Sequence, residues 1–177
     1  MSENNAELHR LAVGALAQGI VAEVLGDPSS SVSPLKITRA AATVLARRPI
    51  SYRPQESLLD AVTAAGVYLR RFCPTDSWTF VGAEYTSHAC KFDLVWEHPD
   101  HGVLIDELKL GIGRGGEIAT RAQIDRYLAE GALLWSEFVG VRLCAVHEPG
   151  RSRLYEPRSS RSALVSEVDL ARELAAR

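Results

Sequence analysis

Residues 91–110 read KFDLVWEHPDHGVLIDELKL, and this stretch decides the fold. Two runs rich in β-branched and other apolar residues, 90–97 and 102–110, lie on either side of HPDHG, which has the composition of a turn. The pattern predicts an antiparallel hairpin centred near Asp100. A short loop joins antiparallel strands, and its geometry sets the register in which they pair.

This register sets two carboxylates against each other. Symmetry about the turn places Asp93 opposite Glu107 and Lys91 opposite Lys109. Side chains alternate along a strand, so all four are expected on one face. Like charges opposed across a strand pair are destabilising, and a divalent cation with hard oxygen ligands removes that cost. A one-residue slip would separate the carboxylates, and an exposed face of salt bridges to the two lysines is the alternative interpretation.

The elements around the hairpin predict a mixed α/β (α+β) domain. Apolar spacing indicates helices over 6–25, 36–48, 55–72, 117–136 and 166–177, and strands over 78–86 and 138–147. A three-strand meander, a crossover helix and a further strand give a mixed sheet of about four strands flanked by helices. We divide the chain into an N-terminal helical extension, 1–54, packed on a core, 55–177, within a single domain.

Composition narrows the class of protein. The chain has 177 residues, of which 46% are hydrophobic and 24% charged, which is typical of one soluble globular domain. The net charge of −2 excludes a wholly basic nucleic-acid binder. Three cysteines without C-x-x-C spacing argue against a disulfide framework or a zinc site. Without a signal-type N-terminus or a long apolar run, we expect a cytoplasmic protein that does not contact a membrane.

Two segments carry the positive charge that DNA phosphates require. Arg47 and Arg48 belong to the densest basic stretch, 36–53, which has five basic residues and no acidic one. Arg114 lies in GIGRGG at 111–116, where glycines let backbone amides approach a phosphate. This loop also fits the dinucleotide-binding pattern G-x-G-x-x-G, but no acidic residue ends the following strand. We therefore take both segments as candidate DNA contacts.

The motif residues resemble those of the PD-(D/E)XK nuclease superfamily, in its RecB-like branch. Asp93 lies in KFDLV, and Glu107–Lys109 supplies the Glu-x-Lys of LIDELKLG. The following helix carries a Gln-x-x-x-Tyr pattern at Gln123 and Tyr127, in AQIDRYL. Upstream, Glu84 in VGAEY occupies the acidic position of the preceding strand. The resemblance covers a little over half of the chain.

This resemblance implies a restriction-endonuclease-like core and an Mg²⁺- or Mn²⁺-dependent deoxyribonuclease. Such an enzyme hydrolyses DNA phosphodiester bonds with a metal-activated water. Asp93 and Glu107 would bind the metal, together with the backbone carbonyl of Leu108. Lys109 would assist the water, and Gln123 would position the phosphate or the water.

Four further residues are additional candidates for the site. Some RecB-like members place a histidine on an early helix as a metal ligand, and His9 is the one histidine before the predicted strands. Glu56, at the start of the helix before the first strand, is its rival. Glu84 and Tyr127 have structural alternatives, since Glu84 can neutralise Lys91 and Tyr127 can belong to the core.

The expected partners follow from the same resemblance. They are DNA, including single-stranded or branched DNA, and either a second copy of the chain or a helicase or defence protein. DNA repair, phage defence and mobile-element processing are the pathways left open. The alternative function is a catalytically inactive nucleic-acid-binding or protein-interaction domain that retains the nuclease fold.

Overall fold

The computed structural model describes residues 3–27, 31–47, 54–75, 77–112, 116–157 and 163–164. Over these residues the fold is α+β, as the sequence predicts, with four helices and one mixed sheet. The chain forms two compact units, Met1–Arg71 and Phe72–Arg177.

The first unit contains three helices: α1, Glu3–Leu25; α2, Pro34–Arg47; and α3, Pro54–Arg71. Buried side chains follow α1 at helical spacing: Val13, Leu16, Ala17, Ile20, Val21 and Val24. α1 packs against both α2 and α3. Contacts therefore group α3 with the first two helices, so this unit ends at Arg71, whereas we drew the sequence division at residue 54.

Part of α1 has the length and composition of a membrane span. In the described part of the chain, Glu7–Leu25 is the one helical segment that is long and apolar enough to cross a membrane, judged by length and composition, whereas the pattern of apolar runs in the sequence predicts no such segment. Its buried stripe packs within the first unit, and a core helix of a soluble protein has the same composition. The fold is compatible with a soluble protein.

The second unit is built on a sheet of six strands in the order β1-β2-β3-β4-β5-β6. The elements are β1, Thr79–Thr86; β2, Lys91–His98; β3, Gly102–Lys109; α4, Gly116–Leu134; β4, Phe138–Ala145; β5, Arg153–Tyr155; and β6, Ala163–Leu164. β3 and β4 are parallel and every other neighbouring pair is antiparallel. The predicted meander, crossover helix and returning strand are confirmed.

Two features at the end of the chain differ from the prediction or lie beyond it. β5 and β6 extend the expected four strands to six, and strands of three and two residues are too short to show an alternating pattern in sequence. The predicted helix 166–177 lies outside the described residues.

The register of the β2–β3 hairpin is the predicted one. Leu94 pairs with Asp106 and Val95 pairs with Ile105, as symmetry about the turn requires. The side chains of Val95 and Ile105 are both buried in an apolar cluster that also contains Ile124 of α4. One face of the sheet is therefore covered by α4.

The turn of this hairpin requires glycine at position 102. Gly102 has a φ of +90°, a conformation that residues with a Cβ rarely adopt. A Cβ there would lie 1.9 Å from the carbonyl oxygen of Glu137, which also accepts a hydrogen bond from the Val103 N–H at 2.7 Å. The turn thus fits against the segment that leads into β4.

A buried ion pair joins the two parallel strands. Asp106 is fully buried and Arg142 is 3% exposed. Arg142 Nε donates to Asp106 Oδ1 at 2.7 Å, and Nη2 donates to Oδ2 at 2.5 Å. The same Nη2 donates to the carbonyl oxygen of Phe72 at 2.6 Å. Both charges are therefore paired inside the second unit, as buried charges must be.

Removing one member of this pair is expected to destabilise the fold strongly. Arg142→Met leaves the Asp106 carboxylate buried without its partner, so the free energy of unfolding in urea should fall by about 3–5 kcal/mol. Asp125→Asn is the matched control, because it breaks the exposed Arg121–Asp125 pair of α4 at 2.9 Å, for which about 1 kcal/mol or less is expected. Equal losses in the two variants would contradict a stabilising role for the buried pair.

Candidate active site

Asp93 is fixed to the neighbouring strand by its side chain. The paired register of β2 and β3 ends at Leu94 and Asp106, one residue short of Asp93. Beyond that point, the Leu108 N–H donates to Asp93 Oδ2 at 3.0 Å, so a carboxylate oxygen accepts the bond in place of a backbone carbonyl. Asp93 is thereby held beside Glu107.

Glu107 lies in the interior with one of its oxygens unsatisfied. Its side chain is 1% exposed, and its Oε1 lies 2.5 Å from Lys109 Nζ. Its Oε2 is buried and has no hydrogen-bond partner among the described residues. A buried polar atom without a partner costs about 1–3 kcal/mol, and more when the group is charged. This oxygen therefore marks a place where a ligand would stabilise the site.

The surroundings of Asp93 oppose the ionisation of its carboxyl group. Burial raises the pKa of the Asp93 carboxyl well above its usual range, and the negative charge of Glu107 raises it further. The Leu108 N–H and the Lys109 ammonium act in the opposite direction without cancelling the increase. Burial and the Glu107 charge together therefore outweigh the single lysine, and a cation bound to both acids would lower the pKa of Asp93.

A chain of hydrogen bonds connects Lys109 to α4. Lys109 Nζ donates to Gln123 Oε1 at 3.0 Å, and Gln123 Nε2 donates to the Tyr127 hydroxyl at 2.9 Å. The Tyr127 hydroxyl donates to the backbone carbonyl of Lys91 at 2.6 Å. Gln123 and Tyr127 lie on one face of α4 because they are four residues apart. The structure thus brings both residues of the Gln-x-x-x-Tyr pattern to the predicted site.

Burial also raises the pKa of the Tyr127 hydroxyl, and the charges of Glu107 and Asp93 raise it further. The phenol therefore remains protonated across the physiological range. Its ring packs edge-on against Phe92, with ring centroids 5.0 Å apart. Tyr127 serves the core through its ring and the site through its hydroxyl, so the core alternative and the site role coexist.

Lys91 does not join the acidic pair, which corrects the predicted face of four charges. Its side chain is exposed and its Nζ lies 2.8 Å from Glu84 Oε1. Phe92 packs in the same apolar cluster as Val95, although strict alternation puts the two on opposite faces. The pairing of β2 with both neighbouring strands omits Asp93, which lies between these two residues. Glu84 accordingly neutralises Lys91, and the site uses only the Lys91 carbonyl, a backbone role that no sequence pattern indicates.

The early-helix candidates have their described contacts within the first unit. His9 Nδ1 lies 3.1 Å from the Ser57 hydroxyl, and His9 Nε2 lies 3.2 Å from Asp60 Oδ2. These contacts connect α1 to α3. The side chain of Glu56 lies outside the described part of the chain.

The predicted DNA contacts are described only in part. Arg47 is exposed, and its Nη1 donates to Glu23 Oε2 at 2.7 Å. Arg48 and Arg114 lie outside the described residues. Arg47 would therefore have to give up its ion pair with Glu23 in order to bind a phosphate.

The residues present fit a hard divalent cation. Among the described residues, no group of three or more His, Cys, Asp and Glu side chains converges on one point. Mg²⁺ commonly uses one or two carboxylates, with water and substrate phosphate as its other ligands. Asp93 and Glu107, whose Oε2 is unsatisfied, supply two carboxylates of that kind.

Comparisons with protein-family models, with curated proteins and with solved structures find no match to this chain. The resemblance to the nuclease superfamily therefore depends on the motif residues alone.

The raised pKa of Asp93 predicts a characteristic pH dependence of the free energy of unfolding. Because the pKa of Asp93 is raised by folding, the folded state binds this proton more tightly than the unfolded state. Stability without metal should therefore fall as pH rises above the ordinary value of 3.8, by up to about 1.4 kcal/mol per pH unit. Asp93→Asn cannot ionise, so its stability relative to wild type should increase over the same range.

Urea unfolding in EDTA between pH 4 and pH 8 measures this difference. Glu97→Gln is the matched control, since it removes an exposed carboxylate from the same strand. If the two variants follow the same pH profile, the carboxyl of Asp93 does not have the raised pKa assigned to it.

Proposed function

We propose that this chain is a divalent-metal-dependent nuclease that hydrolyses DNA phosphodiester bonds. The observation that carries the proposal is the convergence of Asp93 and Glu107, with Glu107 Oε2 buried and unsatisfied and Lys109 Nζ 2.5 Å from Oε1. Folding brings the carboxyl groups of Asp93 and Glu107 next to Lys109 in a buried place, and this arrangement lowers the stability of the fold. A cost of that kind is typical of a functional site.

The three residues divide two tasks between them in this reaction. Asp93 and Glu107 would hold Mg²⁺ or Mn²⁺ through their carboxylate oxygens. The bound ion would activate the attacking water and balance the negative charge of the phosphate. Lys109 is 30% exposed, so its ammonium can donate to a phosphate oxygen while remaining beside the acidic pair. Its positive charge matters most in the transition state, where charge on the phosphate increases.

DNA is negatively charged and so, slightly, is this protein, so binding requires local positive charge. Arg47, Arg48 and Arg114 are our candidates for the phosphate contacts outside the site, because a net charge of −2 requires local basic segments. DNA repair, phage defence and mobile-element processing all use such an activity, on single-stranded, branched or duplex DNA. A second copy of the chain or a helicase or defence protein would be its partner.

One observation favours a second candidate, an inactive nucleic-acid-binding or protein-interaction domain with this fold. Lys109 already forms an ion pair with Glu107 and a hydrogen bond with Gln123. A lysine held in this way can be a permanent internal counterion that replaces a metal. The two candidates differ in one measurable property, which is the affinity for Mn²⁺ or Mg²⁺.

Metal binding is expected to stabilise the wild-type protein. At a metal concentration one hundred times the Kd, the gain is about 2.7 kcal/mol, visible as a rise in melting temperature. Glu107→Gln and Asp93→Asn should lose most of this rise, whereas Glu97→Gln, on the exposed side of β2, should keep it. Thermal melts with MnCl₂, MgCl₂ or EDTA make the comparison. A wild-type protein that shows no rise with either metal would favour the inactive domain.

Removing the lysine should abolish most of the cleavage without abolishing metal binding. Lys109→Met keeps the unbranched apolar stem of the side chain but removes its ammonium group. The loss of one such positive donor costs on the order of 10²–10³-fold in rate. Cleavage of plasmid, linear, single-stranded and branched DNA is measured with Mg²⁺ or Mn²⁺, against EDTA.

Metal affinity of the same variant, measured by calorimetry, is the control. A Lys109→Met protein that cuts as fast as wild type would contradict the role given to this lysine. A wild-type protein that cuts none of these substrates would contradict the proposed activity itself.

A further inference from the structure

The hydroxyl of Tyr127 can satisfy its neighbours only if Gln123 donates a hydrogen bond to it. A phenol carries one hydrogen to donate and lone pairs to accept with. The Lys91 carbonyl, 2.6 Å away, can only accept, and so can the Glu107 carboxylate that also interacts with Tyr127, so the hydrogen of Tyr127 points to an acceptor in either case. Gln123, 2.9 Å away, must then donate to the hydroxyl oxygen. The amide of Gln123 therefore turns its nitrogen towards Tyr127.

The oxygen of the Gln123 amide faces Lys109, which requires an acceptor. An ammonium group has three hydrogens and no lone pair, so it can only donate. Lys109 Nζ lies 3.0 Å from Gln123 Oε1, and this oxygen faces the lysine only while the amide nitrogen faces Tyr127. If the amide flipped, an N–H group would point at a positive charge. The Tyr127 hydroxyl thus determines, through Gln123, which atom of the amide Lys109 encounters.

We propose that Tyr127 is a positioning residue that orients the Gln123 amide and thereby holds Lys109 beside Glu107. In this arrangement Gln123 and Tyr127 act on the lysine, and neither needs to contact the phosphate. The geometry is independent of the proposed nuclease activity, whereas its catalytic consequence rests on that activity. Without the hydroxyl, Lys109 alone acts on the amide, and only one of the two amide orientations accepts from the lysine.

The side-chain ammonium of Lys109 reports on this arrangement directly. The chain has only three lysines, Lys36, Lys91 and Lys109, so ¹⁵N-lysine labelling gives three side-chain signals, each assignable by a Lys→Arg change. In the full-length protein with EDTA, Lys109 should give a slowly exchanging signal, because Glu107 and Gln123 hold it. Tyr127→Phe should abolish this signal and leave that of Lys36 unchanged. Tyr155→Phe removes a hydroxyl from another tyrosine of the same apolar cluster and should preserve it.

A second substitution separates orientation from simple packing. A carboxylate has an oxygen at both positions, so it accepts from Lys109 whichever way it turns. Gln123→Glu in the Tyr127→Phe background should therefore restore the Lys109 signal, although the hydroxyl is still missing. Gln123→Met, which has no oxygen, should lose the signal with Tyr127 intact, and it tests the same chain of bonds if Tyr127→Phe fails to fold.

Two results would overturn the proposal. One is a Lys109 signal that persists in Tyr127→Phe or in Gln123→Met, and the other is a double variant that fails to recover it. If the wild type cleaves DNA, Tyr127→Phe should lower kcat by on the order of 10–100-fold, with KM and metal affinity retained, and Gln123→Glu should recover part of the loss. Since the lysine signal requires no cleavage, a failure of the nuclease proposal and a failure of this one are distinguishable.

Discussion

Two carboxylates on neighbouring strands, held close together in a largely buried place, set the conditions for the rest of this site. The pairing of β2 with β3 brings Asp93 against Glu107, and the Leu108 N–H fixes one carboxylate to the other strand. Burial raises the pKa of Asp93, the charge of Glu107 raises it further, and Lys109 does not cancel the increase. The site is therefore maintained by the stability of the surrounding sheet.

β3 carries acids on both of its faces, and each is neutralised in a different way. Asp106 forms a closed pair with Arg142, with both of its oxygens bonded to the guanidinium. Glu107, one residue later, bonds Lys109 through one oxygen and leaves the other unsatisfied. A central strand is usually apolar on both faces, so each acid must have a counterion. The closed pair serves the fold, and the open pair is available for chemistry.

The hydrogen bonds around α4 act on this open pair. Lys109 is shared between Glu107 and Gln123, so its position depends on which atom of the amide faces it. The orientation of that amide in turn depends on Tyr127 and on the Lys91 carbonyl. Two elements far apart in sequence, β2 and α4, thus control one ammonium group. The pattern Gln-x-x-x-Tyr predicts the two residues but not the direction of their bonds.

The sequence by itself determined the α+β order, the hairpin register and the proximity of Asp93, Glu107 and Lys109. These depend on local alternation and on a turn that ends the strands, both of which are visible in 91–110. Only the tertiary structure decided between the two roles left open for Glu84, because the partner of an exposed charged side chain depends on contacts between strands. The same holds for β5 and for the grouping of α3 with α1. Short strands and packing partners are fixed by contacts between distant segments, which no local pattern records.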